Sequence, residues 1–253
     1  MKLKKIFYYI DSLIRKKNLK IPEEQDIIFS KNQLNYIEAK NKLENVLKNI
    51  DLKKYKMSSE HLRVFSAISL NNNIKDILEI GTYDGFNCLI LSKLFPSAKI
   101  DTLDLPENDY GFKNFYNRDN EAEKKQISET RLNNLAQSRQ INFYEKNSLQ
   151  LIFENNKKYD LIWIDGFHGA PTVISDIVNS IRLINSNGII LIDDIFFHGE
   201  TFSPYQSNAA LKTLISLKKA NLIQYDLFYK RLNLEYNSNK YDQKFIAIVK
   251  NVK

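Results

Sequence analysis

Apolar positions along the chain recur first at helical spacing and then, from residue 76 onward, in runs of strand length. Leu3, Ile6, Phe7, Ile10, Leu13 and Ile14 return every three to four residues between lysine- and arginine-bearing ends, which predicts a basic amphipathic helix over residues 3–14. Pro22 and the polar stretch after it predict a break in the chain. Leu34, Ile37, Leu43, Val46, Leu47 and Ile50 predict a second helix from about Asn32 to Ile50. Ser58 or Ser59, with Glu60 in the first turn, predicts the N-cap of a third helix that buries Leu62, Phe65 and Ile68 and ends at the asparagines 71–73.

Beyond this point strands and helices alternate. Short apolar runs predict strands at Asp76–Ile80, Lys99–Asp104, Ile141–Glu145, Tyr159–Ile164 and Ile189–Ile192. Helical patterns lie between them: Asn87–Phe95, closed by Pro96; Glu121–Gln137, charged throughout; and one opened by Pro171 that turns Val173, Ile174, Ile177, Val178, Ile181 and Ile184 toward the sheet. That alternation predicts a parallel sheet with crossover helices. A helix over about Ser207–Lys219 precedes two last strands, Ile223–Tyr229 and Lys244–Val249. The link between those strands is too short for a crossover helix, so they are expected to be antiparallel. The expected fold is α/β: a doubly wound sheet of seven strands, mostly parallel with an antiparallel C-terminal strand pair, plus an N-terminal helical extension. Residues 1–56 are expected to cap a domain of residues 57–253.

Composition narrows the classes. With 253 residues and 43% hydrophobic content, the chain can bury a full α/β core without metal or disulfide staples. Its single cysteine, Cys88, lies in an apolar run and reads as a small core residue in a reducing compartment. The net charge of +7 is spread along the chain, which argues for a solvated surface and against a nucleic-acid groove. No apolar run approaches the ~20 residues of a membrane span, and Asp11 interrupts the N-terminal run, so a cytoplasmic location is expected. The N-terminal helix is expected to dock on the body of its own or a second subunit, as in a homodimer; peripheral contact with an anionic membrane is the alternative.

The chemistry gathers at the ends of the strands. Asp76 to Gly85 reads Asp-Ile-Leu-Glu-Ile-Gly-Thr-Tyr-Asp-Gly, a buried strand running into a tight loop. Loops of this kind bind ligands in open α/β sheets, where the backbone can approach closely and the next helix presents its amide groups. Gly81 and Gly85 are then positions that exclude a side chain. Asp104 ends the second strand about 20 residues further on, where a carboxylate can accept from both ribose hydroxyls of a bound nucleotide. The fourth strand runs into Asp165-Gly166-Phe167-His168, the fifth into Asp193-Asp194 and then His198.

Taken together, these features resemble the class I S-adenosylmethionine-dependent methyltransferases, whose fold is Rossmann-like. The resemblance covers about residues 57–253. Glu79, Gly81, Tyr83 and Gly85 fall on the family's E-x-G-x-x-x-G loop around the methionine part of the cofactor, and Asp104 on its ribose-binding acid. Asn147 and Ser148 fall where the family places Gly-Asp-Ser or Gly-Asp-Ala beside the adenine. The runs Tyr159–His168 and Asn187–Asp194 are similar to the subgroup that methylates hydroxyls of small molecules and sugars. That subgroup implies a small-molecule or sugar acceptor, S-adenosyl-L-methionine as cofactor, and in some members Mg²⁺ held by acids corresponding to Asp165, Asp193 and Asp194. Asp165, which also falls within the implied cofactor set, could take the acceptor's proton, as could His168 or His198.

Other classes are less well served. An NAD-dependent oxidoreductase or epimerase needs G-x-G-x-x-G, and in the short-chain group a Tyr-x-x-x-Lys placed after strand four. Here that pattern occurs only at Tyr36–Lys40 and Tyr236–Lys240. A nucleic-acid base methyltransferase is expected to carry Asn/Asp-Pro-Pro-aromatic where this chain has Asp-Gly-Phe-His. A non-catalytic binding module on the same fold is the remaining alternative.

Overall fold

The computed structural model describes residues 21–48, 50, 59–71, 73–114, 120–153, 157–203, 205–232 and 243–250. The helix expected over 3–14, Ser58, Phe115, Tyr116 and most of the link 233–243 lie outside the described residues.

Helices α1 (Ile21–Lys31), α2 (Tyr36–Leu47) and α3 (His61–Asn71) precede the sheet. Where the sequence pattern suggested a break at Pro22, a helix runs. Proline in a first turn costs nothing, because the N–H it lacks has no intrahelical partner there. Ile21, Gln25 and Phe29 then recur at four-residue spacing on the buried side of α1. The turn between α1 and α2 falls at residues 32–35, inside the single helix expected from Asn32. Asn35 opens α2, its side chain accepting from the Glu38 N–H at 3.1 Å.

The sheet follows: β1 (Asp76–Ile80), α4 (Phe86–Leu94), β2 (Lys99–Asp104), a short α5 (Tyr110–Asn114), α6 (Glu121–Leu135) and β3 (Ile141–Glu145). A 3₁₀ turn at Ser148–Phe153 leads to β4 (Tyr159–Ile164), α7 (Thr172–Leu183), β5 (Ile184–Ile195), α8 (Ala209–Lys219), β6 (Gln224–Tyr229) and β7 (Phe245–Lys250). The strand order is β3-β2-β1-β4-β5-β7-β6. β1 pairs in parallel with β2 and β4, while β7 lies antiparallel between β5 and β6.

Alternation along the central strands builds the core on both faces. Ile77, Leu161, Trp163, Ile189, Leu191, Ile246 and Ile248 face one layer, with Phe29, Ala39, Phe65 and Leu91 from α1–α4. Leu78, Ile80, Ile162, Ile164, Ile190, Ile192, Ala247 and Val249 face the other, with Val173 and Ile177 of α7 and Leu214 of α8. Covered on both sides, these strands read as continuous apolar runs. The described helices of the N-terminal segment thus share a core with the sheet. Val178, expected to face the sheet, is 52% exposed, and Ile184 opens β5. Among the described residues no helix is long and apolar enough to cross a membrane.

Candidate active site

The strand order reverses between β1 and β4, so their carboxyl ends open a crevice between loops that leave in opposite directions. Gly81 stands at its floor. Its N–H donates to the Leu103 carbonyl at 2.9 Å, and the Asp165 N–H donates to the Ile80 carbonyl at 2.8 Å, which ties β1 to the ends of both neighbours. Its φ is +103°, and a Cβ there would lie 2.3 Å from the Asp165 carbonyl oxygen. The glycine is therefore required by the packing of β4 against the loop, before any ligand is considered. Tyr83 (φ 50°) and Gly85 (φ 76°) complete the turn, and the Asp84 carboxylate accepts from the Phe86 N–H at 3.0 Å to start α4.

Asp104 is fixed at the end of β2. Its two carboxylate oxygens accept from the Tyr83 and Leu105 N–H groups, each at 2.8 Å, and the buried Arg131 of α6 brings Nη1 to 3.7 Å. The glycine loop and the acid are thus one hydrogen-bonded unit, with α6 bracing it again where the Asn134 amide donates to the Asp84 carbonyl at 2.9 Å. Asp104 and the turned loop backbone offer the acceptors and open main chain that a ribose-bearing cofactor requires.

Glu79, expected to contact the cofactor, sits near the end of β1 beneath the loop. Its side chain is fully buried under the loop, where Cys88 Sγ and Thr102 Oγ1 donate to its Oε2, each at 2.6 Å. Burial pushes its carboxyl up to about 7, against those two hydrogen bonds, which favour the charged form. Glu79 shapes the loop from below. Cys88 is a small core residue, as its setting suggested. Asn147 opens the 3₁₀ turn, accepting from the Leu149 N–H at 3.0 Å, and beside it Ser148 is buried.

The acids after β4 and β5 meet a different environment from the one expected. Lys230, the residue after β6, places Nζ 2.5 Å from Asp193 Oδ2 and 2.6 Å from Asp194 Oδ1. Lys244, the residue before β7, reaches Asp194 Oδ2 at 2.5 Å. The expected Mg²⁺ set of Asp165, Asp193 and Asp194 therefore does not fit a metal: two of its members are already ion-paired. Among the described residues no group of three or more His, Cys, Asp or Glu side chains is arranged to hold one. Against the burial that would raise it, Lys230 holds Asp193 below the usual carboxylate range. In turn, against burial, Asp193, Asp194 and Asp165 raise the Lys230 ammonium. Asp165 is pushed well up, first by burial and then by Asp193.

His168 lies beside this cluster, Nε2 3.8 Å from Asp165 Oδ1 and 3.7 Å from Asp194 Oδ2. Burial lowers its pKa, against the pull of Asp194 and Asp193, so the ring is neutral at pH 7. His198 is exposed in the loop after β5, and among the described residues no hydrogen bond or ion pair joins it to the cluster. His61, at the start of α3, does belong to the neighbourhood. Its ring bonds Ser59 Oγ at 2.6 Å and Asn87 Oδ1 at 3.0 Å and stacks on Trp163 at 5.6 Å. Burial lowers its pKa too, opposed by Asp193.

The comparisons with known proteins agree with this geometry. Residues 78–195, from β1 through β5, match the family model described as a methyltransferase domain. Over those residues the chain is similar to a methyltransferase domain. Among solved structures it is similar to the cofactor-bound protein Rv0187 from MTB, with a TM-score of 0.55 and 14% identity over 84% of this chain and 89% of that one. It is also similar to the O-methyltransferase TomG from Streptomyces achromogenes, which is involved in tomaymycin synthesis and was solved with SAM. There the TM-score is 0.53 and the identity 15%, over 92% of this chain and 99% of that one. At these identities the likeness is one of fold. No curated protein matches the sequence.

Lys230, Lys244, His61 and Arg131 were not legible as site residues. The two lysines are 14 positions apart in a basic chain and meet only because β6 and β7 pair beside β5. The available signal was position: each lysine adjoins one of the two antiparallel strands at the end nearest the acids.

Proposed function

We propose that this protein transfers a methyl group from S-adenosylmethionine to a hydroxyl of a small molecule or sugar, with His168 as general base. The observation that carries the reading is His168 itself, a neutral buried imidazole set between Asp165 and Asp194 at the open end of the crevice. Asp104 and the backbone of residues 81–85 would hold the cofactor, with Asn147 and Ser148 near its base and Glu79 supporting the loop. Bound S-adenosylmethionine supplies a methyl group already activated for in-line displacement.

The protein's tasks are then alignment of the acceptor and removal of its proton. An alcohol is a weak nucleophile while protonated. His168, neutral at pH 7, accepts that proton at a ring nitrogen, and the imidazolium formed is stabilised by the Asp194 carboxylate 3.7 Å away. Burial and then Asp193 push the Asp165 carboxyl well up, which favours its protonated form and leaves the histidine as the acceptor. The ion-paired lysines keep Asp193 and Asp194 compensated in the absence of a metal ion.

Binding and turnover test the reading separately. Calorimetry should register S-adenosylmethionine binding by the purified protein, and methyl-labelled cofactor should label a hydroxylated acceptor, sought first by mass spectrometry of co-purified small molecules. Transfer should persist in excess EDTA. Absence of S-adenosylmethionine binding would overturn the cofactor assignment, and methyl transfer that dies in EDTA and returns with Mg²⁺ would overturn the metal-free site.

A further inference from the structure

Where the resemblance implies a divalent cation, the protein places two ammonium groups. Lys230 Nζ is shared between the two acids, 2.5 Å from Asp193 Oδ2 and 2.6 Å from Asp194 Oδ1, the position from which a bridging cation neutralises both. Lys244 Nζ adds a contact of 2.5 Å on the far oxygen of Asp194. The main chain delivers these side chains independently of the acids. The Lys230 N–H donates to the Lys244 carbonyl at 3.0 Å, and the Lys230 carbonyl accepts from the Glu60 N–H at 2.8 Å. β7 then pairs with β5 up to Ile195 opposite Phe245, which sets Lys244 beside Asp194.

Charge balances without help. Asp193 and Asp194 bring two negative charges and Lys230 and Lys244 two positive ones. Asp193 takes one ammonium contact and Asp194 two, and the Lys230 side chain is only 13% exposed. A divalent ion entering this pocket would add two positive charges to a neutral set and would have to displace Lys230 from both carboxylates.

We propose that Lys230, assisted by Lys244, is a resident cation: a positioning residue that holds Asp193 and Asp194 in the place of a metal ion, beside the general base. The inference rests on this pocket being the acceptor end of the proposed methyltransferase site. It has its own readout, so its failure and the failure of that functional reading are distinguishable.

The test is Mn²⁺ binding followed by electron paramagnetic resonance, with no acceptor or cofactor present. The wild-type protein should leave the free Mn²⁺ signal unchanged. Lys230→Met/Lys244→Met uncovers Asp165, Asp193 and Asp194 and should take up one Mn²⁺ with a dissociation constant of about 0.1–1 mM, the weak end for carboxylate cation sites. Adding Asp193→Asn to that variant should abolish the uptake. Wild-type binding that Asp193→Asn removes would overturn the proposal, and this arm decides the matter even if the double variant fails to fold. A folded double variant that binds no Mn²⁺ would overturn it equally, leaving the lysines as ordinary ion-pair partners. A double variant that is unfolded alone but folds on adding Mn²⁺ supports it.

Discussion

Gly81→Ala separates two reasons for a glycine in the loop after β1. If the position is empty to admit the cofactor, the substitution weakens ligand binding and leaves the free protein intact. The structure gives the other reason: at φ +103° a Cβ would stand 2.3 Å from the Asp165 carbonyl oxygen, 2.6 Å from its carbon and 2.8 Å from the Gly166 nitrogen. All three are backbone atoms of the chain leaving β4, and they cannot rotate aside. A left-handed conformation alone costs a residue with a side chain about 1–3 kcal/mol. A domain of this size loses about 2–4 °C of melting temperature per kcal/mol, so strain alone predicts a fall of about 2–12 °C, and the clash adds to it. The assay is thermal unfolding of the ligand-free protein, with Gly85→Ala as the comparison. There a Cβ meets the Leu135 side chain at 3.1 Å and the Arg131 carbonyl oxygen at 3.4 Å, both looser than the backbone clash at Gly81, together with the same kind of backbone strain at φ +76°. Gly81→Ala should melt lower than Gly85→Ala without ligand. An unchanged melt of ligand-free Gly81→Ala, coupled with lost S-adenosylmethionine binding, would refute the argument from β4 packing and restore the ligand as the reason.

The remaining predictions concern the acids and the base. Asp104→Ala removes an acceptor for the ribose hydroxyls; a hydrogen bond to a charged group is worth about 1.5–3 kcal/mol, so calorimetry should find cofactor affinity reduced about tenfold to a hundredfold. His168→Gln should leave cofactor affinity unchanged and lower turnover by about 10²–10⁴-fold, and full turnover would remove it from the role of base. Glu79 stands at about 7 in the fold against an ordinary 4.5, and Asp176 at about 7 against 3.8, both raised chiefly by burial. Between those limits the folded protein keeps protons that the unfolded chain has released. Stability should therefore fall as pH rises from about 4 to 7 and level off above, by about 3–4 kcal/mol for each group at most. Glu79→Gln keeps an acceptor toward Cys88 and Thr102 and should flatten that slope in denaturation at varied pH; an unchanged slope would assign the dependence elsewhere.

The sequence by itself determined the sheet and the placing of the glycine loop beside Asp104, because both are written in local signals. Asp76–Ile80, Lys99–Asp104, Ile141–Glu145 and Tyr159–Ile164 are strands with the boundaries their apolar runs suggest; the first, second and fourth are covered on both faces and admit little else, while Ile141–Glu145 is a half-exposed edge strand. Gly81, Gly85 and Asp104 follow from spacing, because the loop and the acid are tied to the ends of neighbouring strands. Periodicity misjudged the N-terminal helices: Pro22 reads as a breaker unless the helix start is known, and the turn at residues 32–35 depends on Phe29 and Leu34 both seating in the core. The character of Asp193 and Asp194 was decided by tertiary structure alone. Two adjacent acids after a strand look the same whether a metal ion or a lysine faces them. Their partners came from positions 230 and 244, carried there by an antiparallel pairing whose placement beside β5 is a property of the whole sheet. Burial did the rest, setting Glu79 as a support beneath the loop and leaving His168 neutral between two carboxyl groups, because pKa and accessibility belong to the packed environment and have no signature in the order of residues.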